Sequence, residues 1–151
     1  VARRSIYYEV PDWYYDAQPC DLTVPLLSLL HGKIQYLDIV TAVYRYLVSG
    51  SWTQKNVRGH ERRKNNRMKT IRVTDGFDQE TAYKYQKYVR GRLAPLIVEV
   101  LLLSNKQEED FSNLYSRLSI FSKLEYRFFK LFGSLRLWEI YRFYRRIISG
   151  Y

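Results

Sequence analysis

Apolar positions along this chain of 151 residues recur mostly every three or four residues, the spacing that gathers side chains on one face of an α-helix. Over 22–49, Leu26, Leu27, Leu29 and Leu30 follow Pro25, with Asp21 or Thr23 available as the N-cap. Beyond His31-Gly32, Ile34, Leu37, Ile39 or Val40, Val43, Tyr44 and Leu47 keep the same spacing as far as Gly50. This predicts one helix, or two meeting at Gly32. Thr74-Asp75-Gly76 is a turn and cap signal leading into a helical pattern over 77–92. Pro95 then starts or kinks a segment over 96–103 that is apolar nearly all round, and so buried. The clearest helix covers 111–131, where Phe111, Leu114, Leu118, Phe121, Leu124, Phe128 and Leu131 form one stripe. Gly133-Ser134 separates it from a last amphipathic helix over 134–149. Strict alternation is absent, and 70–74 is the only candidate for a short strand. The expected architecture is all-α: a helical bundle of about four or five helices.

Residues 1–21 break this pattern. Pro11 and Pro19 interrupt any helix, and Tyr7, Tyr8, Trp13, Tyr14 and Tyr15 cluster around them. An arm so aromatic is expected to lie over its own domain or over a neighbouring subunit. The organisation read from the chain is therefore an extended arm over 1–21 and a single helical domain over 22–151, with a basic connector at 51–75.

Charge changes the picture most at that connector. Residues 55–72 hold eight cations, Lys55, Arg58, Arg62, Arg63, Lys64, Arg67, Lys69 and Arg72, against Glu61 alone. That is +7 of a formal total of +10. Only Val57, Met68 and Ile71 are apolar there, too few to bury one side. Such an element repels itself unless an anion surrounds it, and eight cations within eighteen residues fit a phosphate backbone better than a small ligand. Lys84, Lys87 and Arg90, spaced three apart among tyrosines, are expected to extend the cationic surface, and Arg3 and Arg4 to reach a phosphate. Residues 117–151 form a second cationic zone of +6. On the last helix, Trp138, Tyr141, Tyr144 and Ile148 face away from Arg136, Glu139, Arg142 and Arg146; they suit a core, another subunit or a lipid surface.

The candidate chemistry is sparse. One cysteine, Cys20, excludes an internal disulfide, and His31 and His60 have no cysteine pair to make a zinc site with. No phosphate loop, nucleophile elbow or metalloprotease motif occurs, so neither an enzyme nor a cofactor is expected. Glu99, alone in an apolar segment, is expected to have a buried partner such as Arg92 or a tyrosine. Helix-turn-helix and RNA-recognition signatures are missing, which leaves backbone reading rather than base reading. Fifteen tyrosines favour extensive contact surface, and a first residue of Val suggests a processed terminus.

The arm VARRSIYYEVPDWYYD, the basic KNVRGHERRKNNRMKTIR and the tail LRLWEIYRFYRRII together resemble, in organisation, the major coat proteins of filamentous archaeal viruses. The resemblance implies pairing with a related coat protein, wrapping of linear double-stranded DNA in A form within a virion, and in some members an outward lipid contact. On that resemblance 55–72 and Lys84, Lys87 and Arg90 would face DNA, and Trp138, Tyr141, Tyr144 and Ile148 would face lipid or the next subunit. The competing expectations are a basic subunit of an RNA-containing assembly such as an organellar ribosome, and a peripheral membrane protein using its C-terminal helix.

Overall fold

The computed structural model describes residues 7–16, 20–35, 38–40, 42–43, 48–51, 59–104, 108–131, 137–138 and 140–141. Among these the protein is all-α, with six helices and no strand. The chain forms two compact units, 1–86 and 87–151.

The first unit contains α1 (Asp12–Tyr15), α2 (Cys20–His31) and α3 (His60–Glu80). α1 is a single turn directly after Pro11, so the expected extended arm is helical at its centre. Its Trp13 is buried with Val73 and Phe77 of α3, and Tyr14, Leu22, Leu26, Leu29, Leu30 and Tyr85 pack around that cluster. The Trp13 and Phe77 rings meet edge to face at 6.4 Å, and Phe77 stacks on Tyr85 at 5.7 Å, contacts that add to simple area burial. α2 begins earlier than its cap signals indicate and runs through Pro25 to His31. The helical spacing over 34–47 is not realised among the described residues. Ile34, Ile39, Val40 and Val43 lie outside any helix and are exposed, while Leu37, Tyr44 and Leu47 lie outside the described residues.

α3 corrects the connector. The helix runs straight through 74–76, where a turn was expected, and through the candidate strand at 70–74. Two facts explain this. Thr70 and Thr74 each donate a hydroxyl hydrogen bond to the carbonyl four residues back, at 2.9 and 2.7 Å, which satisfies them inside a helix. Gly76 is there for proximity rather than for turning: a Cβ on it would lie 2.5 Å from Trp13 Cγ and 2.7 Å from Cδ1. The helix ends instead at 81–85. Ala82 and Tyr83 take positive φ values of 49° and 61°, and the Tyr83 N–H reaches back to the Asp78 carbonyl at 2.8 Å. The helix predicted over 77–92 is therefore cut in the middle.

The second unit contains α4 (Gln86–Leu103), α5 (Glu109–Ser116) and α6 (Ile120–Leu131), followed by helical backbone at 137–138 and 140–141. α4 passes through Pro95 without starting there, and buries Val89, Leu93, Ile97, Val98, Val100 and Leu101, with Glu99 fully enclosed. Of its expected partners, Arg92 or a tyrosine, Arg92 is exposed. The single helix expected over 111–131 is two. Ser119 is the reason: its hydroxyl oxygen accepts a hydrogen bond from the Ser122 N–H at 3.3 Å, an N-cap that restarts the chain as α6. Because of that break the predicted stripe divides. Leu114 and Leu118 are buried, whereas Phe121, Leu124, Phe128 and Leu131 are exposed. α6 buries Ser122, Tyr126 and Phe129 instead. Tyr126 sits edge-on to Phe111 and Tyr115 of α5, and Phe129 packs at 5.1 Å on Trp138 and 5.2 Å on Tyr141.

Candidate nucleic-acid interface

The basic stretch becomes a directional surface once it is wound into α3. Successive residues on an α-helix turn by about 100°, so Arg62, Asn65, Lys69 and Arg72 fall within an arc of about 80° and extend about 15 Å along the axis. Arg62, Asn65 and Arg72 are exposed and Lys69 is half-buried. The buried Ile71, Thr74 and Asp78 lie on the opposite arc, while the buried Phe77 and Val73 fall to the side, Val73 only about 20° round from Arg62. Arg63, Lys64 and Arg67 lie toward that inner side and are half-buried. Lys64 also lies 3.6 Å from Glu61. The cations thus do not surround the helix evenly; three of them share one outward line with Asn65. The line stops one turn before Gly76, where Trp13 lies against the backbone.

Electrostatics within α3 point the same way. Its N-cap position is Gly59, which offers no side-chain acceptor, and its first turn holds Glu61 as the sole acid beside Arg62 and Arg63. The free N–H groups of a helix start carry partial positive charge. Cations there add to that charge, so the first turns of α3 gain most from an anion. A row of phosphates can meet a 15 Å line of guanidinium, amide and ammonium groups, and this contact carries no base information.

The other residues predicted to bind nucleic acid are placed differently. Lys84 is in the 81–85 turn, with its ammonium 5.4 Å from the Tyr85 ring centre, while Lys87 and Arg90 are exposed on α4. The expected three-residue stripe on one helix is not formed, because Lys84 lies in the 81–85 turn, outside the helix that carries the other two. Arg3, Arg4, Lys55 and Arg58 lie outside the described residues.

The residues predicted to contact a subunit or lipid also divide. Tyr7, Tyr8 and Tyr15 are exposed, and Tyr14 is half-buried with its ring 5.8 Å from that of Tyr15. Trp13 and Trp138 are enclosed by the chain itself, which removes both from any outer surface. Tyr141 donates its hydroxyl to Glu125 Oε1 at 2.5 Å. Tyr144 and Ile148 lie outside the described residues. Tyr126 is buried, and its hydroxyl has no hydrogen-bond partner among the described residues. Burial first, and the neighbouring Tyr115 second, raise its pKa above the ordinary 10.0.

Sequence reasoning missed the selection within the basic stretch and the outward turn of α6. The first was recoverable from the wheel of 60–80, where Ile71 and Thr74 mark the inner side. The second was signalled by Ser119 three residues before Ser122. No group of three or more His, Cys, Asp or Glu side chains suited to a metal ion occurs among the described residues, and no described helix is long and apolar enough to cross a membrane. Compared with protein-family models, curated proteins and solved structures, the chain matches none.

Proposed function

We propose that this protein is a structural, non-catalytic subunit that binds linear double-stranded DNA through its phosphates and coats it in a helical filament, as in a virion. The observation that carries the reading is the outward line of Arg62, Asn65, Lys69 and Arg72 on α3, within a chain of formal charge +10. Each bound phosphate releases condensed counterions, and this supplies sequence-independent affinity that falls as salt rises. Many copies along one duplex would neutralise and partly dehydrate it. Exposed tyrosines at 7, 8 and 15 supply broad contact area beside that charge.

Electron microscopy of the purified protein with linear duplex DNA at low salt tests the proposal. The expected result is regular filaments that need DNA and dissolve as salt is raised. Competition with a structured RNA gives the decisive contrast. If RNA displaces duplex DNA and no filament forms, the protein belongs to an RNA-containing assembly and the coat reading fails.

A further inference from the structure

The first two turns of α4 carry side chains that stand open to solvent. Lys87, Tyr88, Arg90 and Arg92 are exposed, Tyr88 to 69%, and none makes a side-chain hydrogen bond, ion pair or ring contact among the described residues. No acid shares these turns; the first on α4 is Glu99, which is fully enclosed. At about 100° per residue, the buried Val89 and Leu93 lie about 160° to either side of Gly91, so Gly91 marks the outermost point of the helix. Lys87 and Tyr88 fall within about 60° of it, one turn behind, and Arg90 and Arg92 about 100° to each side. Helical side chains lean toward the N-terminus, so one at 91 would cover 87 and 88. Gly91 leaves that space open, and a Cβ there would meet nothing within 4 Å, whereas the space at Gly76 is filled by Trp13. The result is a notch beside the Tyr88 ring with three cations around it.

We infer that this notch binds an unpaired nucleotide of a single-stranded nucleic acid, its base stacked on Tyr88 and its flanking phosphates held by Lys87, Arg90 and Arg92. Charge complementarity names a polyanion, because three cations with no acid among them suit successive phosphates. The ring narrows the class. Phosphates alone need no aromatic group, whereas every base has a flat π-face on which a tyrosine can stack. In a duplex that face is taken up by the neighbouring pairs, so the notch selects an unpaired base. Gly91 suits the same ligand, since bare backbone lets a flat group lie close to the helix beside Tyr88.

This goes beyond the duplex reading, and the two helices differ in the way it requires. α3 offers cations without an exposed ring: its one aromatic, Phe77, is buried. That surface suits phosphates alone. α4 offers cations around an exposed ring and a bare glycine. The two surfaces belong to different compact units, and each is defined within its own helix. One chain thus holds paired nucleic acid through α3 and an unpaired strand through α4.

Fluorescence anisotropy of the full-length protein at one low salt concentration tests this with two labelled single strands of about 15 nucleotides. One is an oligothymidylate; the other is its abasic counterpart, which keeps every phosphate and no base. The oligothymidylate should bind about five- to 150-fold more tightly, the effect of one stacked base. An oligouridylate should share that preference, because stacking uses the base and not the sugar. Tyr88→Ala should abolish most of the preference with unchanged helical circular dichroism, and Tyr88→Phe, which keeps the ring, should retain it. Gly91→Gln, whose side chain fills the notch, should reduce it without changing charge. Replacing Lys87, Arg90 and Arg92 together by Gln should weaken both strands alike. Tyr88→Ala should leave duplex binding unchanged, and replacing Arg62, Lys69 and Arg72 should leave the preference intact, so failure of one reading does not imitate failure of the other. Equal binding of the thymidylate and abasic strands would overturn the stack and leave only phosphate contacts. A preference untouched by Tyr88→Ala would overturn it too, since another tyrosine would then be the platform. So would a preference confined to one sugar, or no binding of either strand.

Discussion

Replacing Arg62, Lys69 and Arg72 together by Gln removes the three outward cations of α3 while keeping a good helix former at each position. If each cation meets one phosphate, the slope of log K against log salt on duplex DNA should become shallower by about 2.7, at about 0.9 per phosphate. Between 50 and 200 mM salt that amounts to roughly a 40-fold smaller loss of affinity in the variant than in the parent protein. Arg63, Lys64 and Arg67 provide the internal comparison. They hold the same formal charge but lie on the other side of the helix, toward the buried Ile71 and Thr74, with Lys64 beside Glu61 at 3.6 Å. Their replacement by Gln should lower thermal stability, because their long stems pack against the chain, and should change the slope by less than about one unit. Fluorescence anisotropy on a labelled 30-base-pair duplex, titrated at several salt concentrations, measures both slopes. Equal changes from the two triples would mean that charge counts but its direction does not. No change from the outward triple would remove α3 from the interface.

Gly76→Ala places a methyl group 2.5 Å from Trp13 Cγ, so stability should fall by about 1–3 kcal/mol although Ala alone favours a helix; a rise in Tm would remove the Trp13 contact. Ala82→Gly relieves a φ of 49° and should add about 1 kcal/mol, read as a Tm higher by roughly 2–4 °C; a lower Tm would show that 82 is not left-handed. Tyr126→Phe removes a buried hydroxyl without a partner among the described residues and should be neutral or stabilising by up to about 1 kcal/mol. The raised pKa of Tyr126 means the unfolded chain releases this proton first. Its contribution is whole below pH 10.0 and is lost as pH climbs from there through the folded value. Chemical denaturation above pH 10 should therefore fall less steeply for Tyr126→Phe than for the parent, and identical curves would refute the assignment.

Helix periodicity carried the class of the fold, because 3.6-residue spacing is a property of local sequence and survives most packing choices. What it could not carry was where helices stop. Thr74-Asp75-Gly76 has the composition of a turn, yet Trp13, some sixty residues away, uses Gly76 as a docking point and the helix passes through. Conversely, Ala82-Tyr83 has no Gly or Asn to mark a left-handed turn, so the true end of α3 was silent in the sequence. The stripe over 111–131 was legible as apolar, but a periodic stripe does not say which of two faces meets the core: Leu114 and Leu118 are buried, and Phe121, Leu124, Phe128 and Leu131 are exposed. The small Ser122 between Tyr126 and Phe129 turned out to mark the inner side. Within the basic stretch, composition located the charge, and only tertiary burial of Ile71, Thr74 and Asp78 separated the outward cations from the inner ones.

The contact between Trp13 and Gly76 also sets an order of events. Bringing these positions together closes a loop of about sixty residues, with an entropic cost of about 3–4 kcal/mol beyond a constant term. The basic half of α3 has little of its own to hold it wound: its start lacks a side-chain cap and its cations oppose the helix dipole. Winding must therefore spread from the clamped half, where Val73 and Phe77 are enclosed, toward Arg62. Before closure the cations are a loose cloud along the chain, and after it Arg62, Lys69 and Arg72 are a ruler of fixed pitch. A chain shortened at its N-terminus past Trp13 would keep every basic residue of α3 and lose the spacing between them.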